Sequence, residues 1–300
     1  MTLDPDRALP GTLVVVAPHM DDELIGCGAI LASLRDPARA HVIYASDGSG
    51  SPAPPVPWHR VDRAELARVR REEGCAGLEA LGIPRENARF LDLPDGGLRR
   101  HREALEARLS EALAVLGPDI VLVPFRLDRH PDHLAVHRAV RRLAECEQIT
   151  GRLMEYFVYA RWKLLPGGDI RRRIRPGLLL AFDPGPEAQA RKQRALRRHR
   201  TQTTRYFPWQ KRANLTSEFM ERVGSETEYL LASDRRAAAE PGTGGGDVGA
   251  GVRSIFPIRG GDRPADDEVF TGSTFWIRVV HLLEPPLKRG KDRLVALVRR

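Results

Sequence analysis

The sequence predicts an α/β protein built on a mostly parallel, doubly wound sheet with helices on both faces. Three observations predict it. Apolar runs of strand length alternate with helix-length amphipathic stretches through the first half of the 300-residue chain. The runs are apolar throughout rather than at every second residue, as befits strands covered on both faces. Polar clusters recur directly after those runs, at the carboxyl edge where such sheets gather their ligands.

The run TLVVVAP reads as the first strand. DDELIGCGAILASLR follows as a helix whose Leu24, Cys27, Ile30, Leu31 and Leu34 recur on the face that packs on the sheet. AHVIYAS predicts a second strand, and the glycine- and proline-punctuated DGSGSPAPPVP a long loop. A helix follows over VDRAELARVRREEGCAGLEALG, with Gly82 as its stop. ARFLDLP predicts a short strand, REALEARLSEALAVLG a helix, PDIVLVPF a strong strand and HLAVHRAVRRLAECEQ another helix. Beyond these the regularity fades into an irregular C-terminal extension. RLMEYFVYARWKLLP predicts a strand turning away from the sheet, LLLAFD a short strand, and PEAQARKQRALRRHR and NLTSEFMERVGS two helices. Residues 237–254 are glycine-rich and read as a flexible loop.

Composition narrows the function. The chain is 42% hydrophobic and 29% charged, which is globular rather than disordered. No stretch approaches the roughly 18 apolar residues of a membrane span. Met1–Pro10 lacks the apolar stretch of a secretory signal. Cys27, Cys75 and Cys146 lie far apart, form no CxxC pair, and fall in helical stretches among apolar neighbours. They predict packing roles and a reducing compartment, hence a cytoplasmic protein. The formal charge of +8 raises nucleic acid as a partner. Its densest stretches, RRRIR and RKQRALRRHR, carry no interleaved aromatic residues such as a single-strand platform uses. Nucleic acid is therefore disfavoured, and the charge reads as solvated faces or an anionic-substrate rim.

The chemistry concentrates after the strands, at His19–Glu23, SDGSG, LPDGG and RLDRHPDH. Zinc sites of catalytic type use three protein ligands. His19 offers an imidazole and Asp21 and Asp22 offer carboxylates at a strand-to-helix junction, where adjacent side chains point different ways. One acid can then bind metal while the other approaches a water. His130 and His133 flank a proline-containing turn, so one can ligate while the other faces a substrate oxygen. Each stretch alone has an equally good plain reading: an aspartate capping the helix, and two ordinary histidines at a helix start. Two such stretches at strand ends of one sheet point together to a metal site. Glu23 reads as a cap or brace, and His137, one turn after His133, as packing. Arg70 and Arg71, ahead of Glu72 and Glu73, read as surface ion pairs, with one arginine reaching a substrate edge as the alternative, and Trp58, Trp162 and Trp209 as packing residues, with a pocket lining as the alternative.

PHMDDE followed by RHPDH resembles the metal-dependent N-deacetylases of the PIG-L or LmbE-like family, which includes enzymes of mycothiol, bacillithiol and glycosylphosphatidylinositol synthesis. SDG at Ser46–Gly48, RREEGCAGLEALG at Arg70–Gly82 and LDLPDG at Leu91–Gly96 add to the likeness, which covers residues 10–145. KQRALRRHRTQ at Lys192–Gln202 is a weaker echo. Met20 stands where the family has proline, which leaves the junction less rigid. The resemblance implies a Rossmann-like fold and a zinc ion, or alternatively ferrous iron, held by His19, Asp22 and His133. It implies Asp21 as the general base and His130 as the group that stabilises the oxyanion or protonates the departing amine. Asp95 is expected to orient that histidine, or else to serve only as a turn residue before Gly96. The implied substrate is a small N-acetylglucosamine-like sugar conjugate whose N-acetyl amide is hydrolysed to acetate and a primary amine. An amide on a non-sugar or glycosylated metabolite is the alternative. The whole chain, residues 1–300, is then expected to be one catalytic domain, with a core at 10–150 and residues 151–300 completing the sheet and pocket.

Overall fold

The computed structural model describes residues 3–56, 58–159, 163–164, 168–232 and 269–270. The elements follow in chain order as α1 (Pro5–Ala8), β1 (Leu13–Ala17), α2 (Asp22–Ala32), β2 (Ala40–Ser46), α3 (Arg63–Leu81) and β3 (Ala88–Leu93). Then come α4 (Arg102–Leu116), β4 (Ile120–Pro124), α5 (Pro131–Glu145) and β5 (Arg152–Tyr156). A short pair, β6 (Lys163–Leu164) and β7 (Gly168–Asp169), precedes β8 (Leu179–Phe182), α6 (Gly185–Leu196), α7 (Arg200–Thr203), α8 (Ser217–Ser225) and β9 (Glu228–Ala232).

Seven strands form one sheet in the order β3-β2-β1-β4-β5-β9-β8. The five from β3 to β5 run parallel, with β1 between β2 and β4. All five residues of β1 and of β4 are buried, which explains why their sequences are apolar without alternation. Burying each valine there contributes about 1.5–3 kcal/mol. The pleat divides them between two cores. Leu13, Val15 and Ala17 face a core shared with α2, α3 and α6, whereas Val14 and Val16 face one shared with α4 and α5.

This order has a consequence for function. The chain builds outward from β1 in one direction through β2 and β3, then returns to add β4 on the other side. The carboxyl ends of β1 and β4 lie where the winding reverses, the position at which doubly wound sheets bind their ligands. The turns after β1 and β4 carry the HMDDE and RHPDH stretches.

Several helix limits follow from side-chain chemistry. Asp62 caps α3 by accepting from the backbone N–H of Ala64 and Glu65, and Gly82, at φ 86°, ends it in the left-handed conformation. Pro131 opens α5, where its missing N–H costs nothing. Two expectations need correction. The strand beginning at Arg152 does not turn away but pairs with β4 from Arg152 to Tyr156. Cys146 is exposed at the end of α5, whereas Cys27 and Cys75 are buried free thiols.

The chain divides into two compact units, Met1–Ala160 with Leu180–Leu231, and Arg161–Leu179 with Ala232–Arg300. In the second, β6 pairs antiparallel with β7, and Ile174 bridges Phe270. The glycine-rich stretch 237–254 and Trp162 lie outside the described residues. No helix among the described residues is long and apolar enough to cross a membrane.

Candidate metal centre

The junction after β1 gives its three acids different surroundings. Asp21 precedes α2 at the capping position, yet its side chain makes no capping bond. Its φ of 135° is a conformation that residues other than glycine rarely adopt, a local strain of about 1–3 kcal/mol. The strain frees the Asp21 carboxylate from the helix end. Glu23 takes the bracing role: its Oε2 accepts the Asp21 N–H at 3.2 Å, and its Oε1 accepts the Tyr44 hydroxyl at 2.7 Å. Burial, together with the charge of Asp21, pushes Glu23 up to about 8, so it is protonated at neutral pH.

Asp22 sits at the middle of the cluster, almost fully buried. Its Oδ2 accepts the backbone N–H of His19 at 3.0 Å and lies 2.9 Å from His19 Nδ1 and 3.2 Å from His133 Nε2. Its Oδ1 is buried with no hydrogen-bond partner, and both ring nitrogens of His133 lack one as well, though carboxylates lie within 3.2 Å of each. The distances are those of close approach, but the angles are not those of hydrogen bonds. Burial lowers His133, but Asp22 and Asp128 outweigh it and raise the imidazole to about 9. Asp22 is held low by His133 and His19 against the effect of its burial. A buried pocket of two imidazoles and a carboxylate with orphaned lone pairs fits a divalent cation, and nitrogen with oxygen ligation suits zinc.

α5 brings in the other two histidines. His130 is its cap residue, and Nδ1 of the ring accepts the backbone N–H of Asp132 at 3.3 Å. That bond leaves the neutral ring's proton on Nε2, making it a donor. Burial, with His19 and His133 nearby, lowers His130 and keeps it neutral. Ligand-capable nitrogens of His19, His130 and His133 lie within 4.8 Å of one another, and a second such group comprises His19, Asp95 and Asp132.

The structure brings Asp21, Asp22, His19, His130 and His133 together. Asp95 joins them from the loop after β3, but it faces His19: Oδ1 is 3.1 Å from His19 Nε2, and Oδ2 accepts the Gly50 N–H at 2.9 Å. Burial raises Asp95, but the His19 contact wins and holds it down to about 2. His137 donates from Nδ1 to the Pro124 carbonyl, 3.0 Å away, as a packing residue. Trp58 is 76% exposed and so packs no core, while Trp209 stacks on Phe207 with ring centroids 5.2 Å apart.

Sequence reasoning missed four residues here. Arg70 is not a surface residue but 1% exposed, 3.4 Å from Asp21 Oδ1 and donating to the Met20 carbonyl at 2.5 Å. The carbonyl of the residue that replaces proline is thus fixed by a guanidinium. Burial pushes Asp21 up to about 7, with Arg70 opposing and Asp22 reinforcing the rise. Asp128, buried, lies 3.2 Å from His133 Nδ1 and accepts the His130 N–H at 2.9 Å. Such a carboxylate behind a ligating imidazole sets its tautomer and orientation. Asp132 accepts from the N–H groups of Gly96 and Leu98 and so ties the LPDGG turn to α5. Tyr159 stacks over His133, centroids 5.3 Å apart. One signal could have found Arg70: it shares the helical phase of Leu66, Gly74 and Gly77, the buried stripe of α3.

Residues 14–144 match the family model described as "PIG-L: GlcNAc-PI de-N-acetylase". The chain is 33% identical over 158 residues to 2'-N-acetylparomamine deacetylase of Streptomyces fradiae, covering 46% of this chain and 56% of that one. It is 30% identical over 163 residues to 1D-myo-inositol 2-acetamido-2-deoxy-alpha-D-glucopyranoside deacetylase of Kineococcus radiotolerans, covering 44% of each. The matched region thus spans about half the length of these relatives. Among solved structures, a triple mutant of a deacetylase in the teicoplanin biosynthetic pathway superposes with a TM-score of 0.54 at 22% identity, over 73% of this chain and 96% of that one. That likeness is one of fold.

Proposed function

We propose that this chain, which belongs to the PIG-L family through residues 14–144, is a metal-dependent deacetylase that hydrolyses the N-acetyl amide of an N-acetylglucosamine-like sugar conjugate. The single observation that carries the reading is the buried Asp22 carboxylate between His19 and His133, beside an Asp21 carboxylate that caps nothing. Two relatives are named for removing an acetyl group from 2'-N-acetylparomamine and from a 2-acetamido-2-deoxyglucopyranoside, which supports an acetamido sugar as the substrate class.

His19, Asp22 and His133 are the residues that would hold the ion, zinc or ferrous iron. When bound, such an ion polarises the amide carbonyl and lowers the pKa of water. The chain's own residues do the rest. Asp21, lifted by burial into the neutral range, takes the proton of the attacking water. Arg70 holds that carboxylate in place from the α3 side. His130, a neutral donor through Nε2, meets the oxyanion as its charge develops, and the proton taken up by Asp21 passes to the departing amine. The buried free thiols of Cys27 and Cys75 agree with a cytoplasmic setting.

The test is a panel of N-acetylated amino sugars, free and conjugated, with primary amine release as the readout. Release that stops on chelation and returns with zinc or ferrous ion is the expected result. A panel in which no acetamido sugar is cleaved by the metal-loaded protein would defeat the reading.

A further inference from the structure

The helix that carries the acids is broken. α2 runs Asp22–Ala32, but Cys27 leaves helical backbone at φ −146° and ψ 20°. A break inside a buried helix strands N–H groups on one side and a carbonyl on the other, with no water to satisfy them. Here both are met by charge. Glu228 of β9 accepts the Ala29 N–H through Oε1 at 2.9 Å and the Ile30 N–H through Oε2 at 2.7 Å. Lys192 of α6 donates to the Ile25 carbonyl at 3.0 Å and to Glu228 Oε1 at 2.7 Å. One ion pair therefore caps the end of the first half of α2 and the start of the second.

The pair is itself buried, Lys192 at 1% and Glu228 at 5% exposure. A Cβ at position 28 would stand 3.1 Å from Lys192 Cγ, so Gly28 leaves room for the lysine stem to reach the break. Burying such a pair is no better for stability than filling the space with apolar side chains, so stability alone does not account for it. Direction does. Both halves of α2 pack in the same core, the first through Leu24 and Ile25 and the second through Ile30 and Leu31. The first half begins with Asp22 and follows Asp21, and its aim depends on the angle at Cys27.

We propose that Lys192 and Glu228 are positioning residues for the metal-binding acids: by bonding both sides of the break they fix the angle of α2 and hence the placement of Asp22 against His19 and His133. This also gives a task to Lys192 in the KQRALRRHRTQ stretch, whose basic character reads as surface. The proposal rests on Asp22 being a ligand, and its test separates the two claims.

Three variants are compared with wild type in the full-length protein: Glu228→Gln, the double variant Lys192→Met with Glu228→Gln, and Leu230→Ala. The last removes core packing from β9 without touching the break. Metal affinity is read by chelator competition, ligand geometry from the visible spectrum of the cobalt-loaded protein, and stability from thermal melting. Both Glu228 variants should lose metal affinity by about tenfold or more, with an altered cobalt spectrum, as when a ligand's support is removed. Leu230→Ala should lose stability and keep both wild-type metal readings. The double variant buries no unpaired charge, so it keeps the test open if Glu228→Gln fails to fold. Wild-type affinity and spectrum in a folded Glu228 variant overturn the positioning role. A wild-type protein that binds no metal overturns the metal centre itself.

Discussion

At the scale of single residues, Asp21 and Asp22 show how two adjacent identical side chains acquire different tasks. Asp22 has the first helical turn behind it and two imidazoles before it, so its charge is compensated. Asp21 sits at φ 135°, and Arg70, with lesser help from His19 and His133, opposes its desolvation without overcoming it. A buried carboxylate lifted toward neutral pH suits proton transfer, whereas one held low by imidazoles suits ligation. Asp21→Asn should therefore retain metal and lose turnover by about a hundredfold or more. Amine release measured beside metal content checks this, and full turnover in the metal-loaded variant would remove Asp21 from the chemistry. The HMDDE and RHPDH stretches were legible because two clusters of acids and imidazoles follow apolar runs of one predicted sheet, although either alone could have belonged to an ordinary helix start. Asp128 and Arg70 were not. Asp128 reads as one more charge in a polar turn, and its use depends on where the His133 ring points. Arg70 sits beside three other charged residues that imitate a solvated face.

At the scale of elements, α3, α6 and α7 meet through polar groups that sequence patterns conceal. Glu73 of α3 accepts from the Thr201 N–H at 2.8 Å and its hydroxyl at 2.6 Å. His199, between α6 and α7, is fully buried against Gly77, and neither ring nitrogen finds a hydrogen-bond partner among the described residues. Burial, aided by Arg70, pushes it down to about 3. The unfolded chain binds a proton at this residue below about pH 6.5, whereas the folded chain does not until about pH 3. The contribution to stability is complete above pH 6.5 and is lost as pH falls toward 3. Between pH 6.5 and 4, His199→Gln should lose melting temperature less steeply than wild type, by roughly 3 °C or more over the range. Parallel curves for the two proteins would show that His199 does not carry this dependence. The strand β9 escaped detection for a related reason. EYLLA is short and opens on an acid, and the burial of Glu228 makes sense only once the break in α2 is known.

At the scale of the whole molecule, the alternation of runs was sufficient to read the parallel sheet through β4, since a strand buried on both faces leaves an unbroken apolar signature. Strand order was not written there. That β1 lies beside β4 decides that two stretches 111 residues apart, from Asp22 to His133, share one site. Everything proposed for function depends on that meeting. The most direct measurement is divalent metal per chain, by elemental analysis, in wild type, His19→Ala and His133→Ala purified alike. About one zinc or iron per wild-type chain, falling to near none in both variants while their folds persist, is the predicted result. Equal metal in all three proteins would contradict it.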